Sequence, residues 1–172
     1  MGLFSFIKDA GAKVFGYKTE AEKAAEKAAA TEAMKAAGEA AKKAAAAAAA
    51  AKIEETVHDL DLKVENLNIV IEDDLAMVTG KAYDTSTKEK IILVVGNSQG
   101  IATVDDQMDV EHEEGAATFH TVVKGDTLSK IAKKVYGDAM KYPVIFEANK
   151  PMLKHPDKIY PGQVLRIPAL QG

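Results

Sequence analysis

The stretch Phe119 to Pro168, FHTVVKGDTLSKIAKKVYGDAMKYPVIFEANKPMLKHPDKIYPGQVLRIP, is punctuated by its own residues into a strand, two helices and a strand. His120 to Val123 is β-branched and apolar enough for a strand, Gly125 supplies a turn, and Asp126 or Thr127 is suited to cap the helix that follows. Leu128, Ile131, Ala132, Val135 and Tyr136 fall on one helical face, which Gly137 brings to an end. Pro143 fits the first turn of a second helix, which carries Val144, Ile145 and Ala148 and must stop before Pro151. Pro161-Gly162 then makes a tight turn, because proline presets φ and glycine accepts positive φ, and Gln163 to Ile167 returns as a strand.

This layout, with the words GDTLSKIA, IFEANK and IYPGQVLRIP, closely resembles the LysM domain. The resemblance implies a β-α-α-β module over residues 118–169. LysM modules resemble one another as binders of N-acetylglucosamine polymers, chiefly peptidoglycan or chitin. The implied glycan groove runs between the loop after the first strand and the loop before the second, which here hold Gly125, Asp126, Thr127 and Leu128, then Ile159, Tyr160 and Pro161. The residues themselves leave a second reading open, in which Leu128 and Ile159 are core and the Pro-Gly pair is simply a turn, since a fold does not fix a function.

Upstream, Leu67 to Glu72 alternates in the manner of a strand with a buried face, Asp73-Asp74 turns it, and Leu75 to Tyr83 is the returning strand. Thr85 or Ser86 can cap a helix whose apolar stripe is Ile91, Ile92, Val94 and Val95, closed by Gly96. After Asn97-Ser98-Gln99-Gly100, Ile101 to Val110 reads as a third strand. A helix near Lys52 to Asp59 precedes them all, so the order is α-β-β-α-β. That order, the strand end Val78-Thr79-Gly80 and the run VVGNSQGIATVDDQ resemble the BON domain, a module met in envelope and osmotic-stress proteins. The expected organisation is therefore α+β: a BON domain over residues 53–112, a short acidic linker over 113–117, and the LysM domain. Glu111, His112, Glu113 and Glu114 are oxygen and imidazole donors, but neighbours on an exposed linker rarely converge on one ion, and the same holds for Asp105, Asp106 and Asp109.

Residues 19–52 are almost all Ala, Glu and Lys, strong helix formers, with Gly38 as the place where a break would fall. This Ala-rich helix reads as a solvated extension of the first BON helix, running into Ile53 and Val57. In residues 1–18, Leu3, Phe4, Ile7, Gly11, Val14 and Phe15 make an apolar helical stripe, with Lys8, Asp9 and Lys13 elsewhere. Two lysines offset by an aspartate attract anionic lipid weakly, so the expectation is an amphipathic segment docked on the BON core.

A formal charge of -4 and a pI near 5.6, with no aromatic-interleaved Lys/Arg run and no expected basic face, argue against nucleic acid as a partner. MGLFSFIKDAGAKVFG lacks the pattern of a secretory signal, and no segment has the roughly 20 strongly apolar residues of a membrane span. The expectation is a cytoplasmic monomer without stable membrane insertion. There is no cysteine, no phosphate-binding glycine loop and no paired-His helix, and His58, His112, His120 and His155 sit in unrelated contexts, so no enzyme is expected.

Taken together, GLFSFIKDAG, the VVGN loop and the LysM words resemble, almost end to end, a family of small cytoplasmic bacterial potassium-binding proteins built as BON plus LysM. The resemblance implies K+ held by main-chain carbonyls, carried over here to Ile7, Lys8 and Ala10, then Gly96, Ser98 and Ile101. Ser98 stands where the family more usually has an apolar residue, a change to which a carbonyl ligand is indifferent. Uncharged carbonyl dipoles can replace the hydration shell of a large monovalent ion without the carboxylate field that favours Ca2+ or Mg2+. Helix ends and glycine-flanked loops free such carbonyls, and Asp9-Ala10-Gly11 and Gly96 to Gly100 are segments of that kind.

Overall fold

The computed structural model describes residues 2–5, 32–113, 115 and 117–170. The Ala-rich composition produces one continuous helix, α1 (Glu32–Asp59), which runs unbroken through Gly38, the place where a break would fall. A single interior glycine costs about 1 kcal/mol, and the surrounding helix formers carry the turn across it. Toward the end of α1, Ala50, Ile53 and Val57 enter a core, whereas residues 37–45 are exposed.

That core lies against a four-stranded sheet in the order β1-β4-β3-β2. The strands are β1 (Gly2–Ser5), β2 (Val64–Glu72), β3 (Leu75–Asp84) and β4 (Thr103–His112), with α2 (Thr85–Gly96) between β3 and β4. β1 is antiparallel to β4, β4 parallel to β3, and β3 antiparallel to β2. Alternation puts Ala76, Val78 and Ala82 of β3 and Val104 and Met108 of β4 into the same core as Ile91, Ile92, Val94 and Val95 of α2. Asp84, one residue ahead of the expected Thr85 or Ser86, caps α2 by accepting the Thr87 N–H at 2.6 Å. Glu54 of α1 accepts the Ile69 N–H at 2.8 Å, which satisfies a backbone donor on the outer edge strand β2.

The expected helix over the first residues is corrected at Leu3 and Phe4, which lie in β1. Phe4 is half-buried against the core, and its ring meets Phe119 edge-on with centroids 5.5 Å apart. Pairing supplies the physical reason: β4 has a free edge, and four residues of extended backbone satisfy it where a helix cannot. The remaining stripe residues, Ile7, Gly11, Val14 and Phe15, lie outside the described residues.

Gly80 has φ +139°, and a Cβ there would approach Glu65 O to 3.0 Å and Leu67 Cα to 3.1 Å, where β2 shifts register between Glu65 and Asn68. Both the backbone angle and the tight contact disfavour a side chain. Gly80→Ala is expected to cost about 1–3 kcal/mol, read as a lower urea midpoint with unchanged m.

The second module contains β5 (Thr118–Thr121), α3 (Leu128–Tyr136), a 3-10 turn (Ala139–Lys141), α4 (Tyr142–Ala148) and β6 (Val164–Ile167). β5 and β6 pair antiparallel, and Leu165 and Ile167 join Leu128, Ile131, Ala132 and Ile145 in a second core. Thr127 caps α3, and Gly137 ends it at φ 76°. Two of the apolar residues assigned to the helix stripes, Val135 and Val144, are exposed at their margins.

Among the described residues, β6 has no strand beside it other than β5. Its backbone is paired instead by two asparagine side chains. Asn97 donates to Val164 O at 3.1 Å and accepts Val164 N–H at 2.9 Å, and Asn149 does the same to Arg166 at 2.8 Å in each direction. Each amide therefore presents one donor and one acceptor, as a neighbouring strand would.

Candidate functional site

The loop that follows α2 is built from the helix end. An α-helix leaves its last four carbonyls without intrahelical partners. Leu93 O accepts Asn97 N–H at 2.9 Å, Val95 O accepts Ser98 N–H at 3.0 Å, and Val94 O accepts the Ser98 hydroxyl at 2.7 Å. These bonds account for three of the four, and the fourth belongs to Gly96. Ser98 O accepts Ile101 N–H at 3.4 Å, a long bond. Gly100 turns the chain at φ 87°, and Asp74 O then takes both Ala102 N–H and Thr103 N–H, at 2.8 and 3.1 Å. Gly96, Asn97, Ser98 and Ile101 are all buried.

Two clamps fix this loop. On one side its exit is bonded to the β2–β3 turn through Asp74; on the other, Asn97 bonds to β6 of the second module. β1 reaches the same end of the sheet, since its last residue, Ser5, pairs with Thr103. Gly96, Ser98 and Ile101 are thus brought together by one turn of backbone. Ile7, Lys8 and Ala10 lie outside the described residues.

The two modules are also joined by a buried ion pair. Arg166 Nε meets Glu89 Oε2 at 2.5 Å, and Glu89 Oε1 accepts Ala117 N–H at 2.9 Å. Lys90, half-buried near Arg166, has its ammonium pKa pushed down, first by burial and then by that like charge. Sequence reasoning missed Asn97, Glu89 and Arg166. The available signals were a charge inside the otherwise apolar strand Val164–Ile167 and a glutamate at the head of an apolar helix stripe, since neither type is buried without a partner.

The loops of the expected glycan groove share one end of the second module, where Gly162 N–H donates to Val122 O at 2.7 Å. Leu128 is core, so it lines no groove, and Ile159 packs partly against that core. Gly125, Thr127 and Pro161 are exposed, whereas Asp126 and Tyr160 are half-buried. Asp126 accepts from the His120 ring at 2.9 Å and from Val123 N–H at 3.0 Å, and these bonds, the His120 one foremost, hold its carboxyl below the usual range. Tyr160 N–H donates to Gln163 Oε1 at 3.1 Å. Among the described residues there is no group of three or more His, Asp or Glu that could hold a metal ion, and no helix is long and apolar enough to cross a membrane.

The LysM domain family matches residues 120–168. An uncharacterised protein of Deinococcus radiodurans is 50% identical over 57 residues, 33% of this chain and 22% of that protein. An endolysin of Bacillus phage B103 is 32% identical over 92 residues, 51% of this chain and 32% of that protein. The potassium binding protein Kbp of Escherichia coli O6:H1 is 44% identical over 169 residues, 98% of this chain and 99% of that protein. That likeness runs through both modules and the loop between α2 and β4, and the chain belongs to the family of the potassium binding protein Kbp.

Proposed function

We propose that this chain binds potassium between its N-terminal segment and the loop after α2, and acts as a cytoplasmic potassium sensor by ion-induced ordering and compaction. The observation that carries the reading is the register of β1. Ser5 pairs with Thr103, so the chain leaves β1 two residues ahead of Ile7, beside the strand that Ile101 feeds. The proposed ligands are the main-chain carbonyls of Ile7, Lys8 and Ala10 on one side and of Gly96, Ser98 and Ile101 on the other. The C-terminal end of α2 carries a partial negative charge and favours a cation there. The ion itself comes from the relative's name.

In this reading residues 53–112 are the BON domain, 113–117 the linker and 118–169 the LysM domain, with residues 1–18 as the ion-ordered segment and 19–52 as a solvated helix. The second module buttresses the ion loop through Asn97 and carries no catalysis. A second reading rests on the LysM match: the second module binds an N-acetylglucosamine polymer at Gly125, Asp126, Thr127, Ile159, Tyr160 and Pro161.

An ion bound by the folded state alone stabilises it by RT ln(1 + [L]/Kd), about 2.7 kcal/mol at a hundred times Kd. Thermal melting in matched potassium, sodium and lithium chlorides is expected to show the largest rise with potassium, and equal shifts in all three would remove the site. Retention of the protein on peptidoglycan, lost with Tyr160→Ala, would favour the second reading.

A further inference from the structure

The whole-chain charge of -4 conceals a division. Residues 32–113 carry eight Lys against seventeen Asp and Glu, whereas residues 118–170 carry nine Lys and Arg against four Asp and Glu. The expectation that the protein has no basic face is corrected by α3. Its buried residues Leu128, Ile131 and Ala132 face the second core, and Lys130, Lys133 and Lys134, at i, i+3 and i+4 spacing, occupy the opposite side.

β6 determines where that side looks. Leu165 and Ile167 point into the core shared with α3, and the neighbouring Arg166 side chain points to Glu89 of the acidic first module. The lysine face is therefore turned away from the acidic module, free of its repulsion toward an anionic partner. Lys124 precedes α3 and Lys141 follows it, each beside an exposed apolar residue: Val123 is 59% exposed and Met140 77%.

Acidic groups nearby are committed elsewhere. Asp126, whose charge is felt by Lys134, is bonded to His120 and Val123 N–H, and Asp138 caps the 3-10 turn through Met140 N–H. Lys130 donates to Gly125 O at 2.8 Å. Among the described residues, Lys124, Lys133, Lys134 and Lys141 enter no ion pair.

We propose that the outer face of α3 docks on an anionic lipid surface, with its lysines on the headgroups and Val123 and Met140 at the apolar boundary. Basic residues beside exposed apolar ones are the composition that such a surface selects. A single-stranded nucleic acid needs exposed rings on which bases stack, and the rings of this module, Phe119, Tyr136, Tyr142, Phe146 and Tyr160, are all half-buried.

Sedimentation of the full chain with vesicles tests this. The protein is expected to pellet with phosphatidylglycerol vesicles at low salt, to stay in solution with phosphatidylcholine vesicles, and to be released by added salt. At about fivefold per lysine, the triple variant Lys130→Gln, Lys133→Gln, Lys134→Gln is expected to bind roughly a hundredfold more weakly. Lys43→Gln with Lys63→Gln, on the first module, is expected to change nothing. Equal pelleting with both lipids, none with phosphatidylglycerol, or a triple variant that matches the control pair would overturn the proposal. Tighter binding to a duplex oligonucleotide than to phosphatidylglycerol would replace the lipid with nucleic acid.

Discussion

Protein lacking residues 1–10 is expected to melt at the same temperature in potassium and sodium chloride, while the full chain in saturating potassium gains several degrees. For a chain of this size about 2.7 kcal/mol of ion binding corresponds to a rise of roughly 5–10 °C. The truncation also removes β1, with the Phe4 contact to Phe119 and the pairing along β4, so its absolute melting temperature falls for reasons unconnected with potassium. The difference between the two salts is therefore the readout. Gly96→Val supplies the independent test, because it keeps β1 and forces an isopropyl group into a buried helix end. Loss of the potassium increment in both variants supports the shared site. An increment that survives the truncation moves the ion elsewhere.

Arg166→Ala is expected to destabilise the protein by about 3–5 kcal/mol, since it leaves the buried Glu89 carboxylate without its cation. Lys90 gains slightly when the neighbouring positive charge goes, which offsets a small part of that loss. The joint replacement of Glu89→Gln with Arg166→Met is expected to recover most of the stability, because it removes both charges and keeps the volume. Urea unfolding of the two variants measures the contrast, and a loss below about 1 kcal/mol for Arg166→Ala would mean that the pair is hydrated in solution. Because β6 bonds directly to Asn97, weakening this interface is also a way to loosen the loop after α2.

The sequence by itself determined whatever depends on neighbours along the chain. Periodicity and punctuation produced the α-β-β-α-β and β-α-α-β orders, the stop of α3 at Gly137, the turn at Pro161-Gly162 and the apolar stripe of α2, because caps, turns and amphipathic faces are set within a few residues. The tertiary structure decided the rest. Leu3 and Phe4 fit a helical stripe, yet they form β1 because the free edge of β4, about a hundred residues away, offers backbone partners that no local pattern reveals. Asn97 reads locally as one residue of a polar loop, yet its side chain pairs with a strand sixty-seven residues on. The spacing of Lys130, Lys133 and Lys134 sets them on one helical face, but only the packing of α3 on β6 turns that face away from the acidic module. The placements of β1 and Asn97 rest on groups distant in sequence and adjacent in space, where an unpaired backbone hydrogen-bonding group is costly and so fixes its partner.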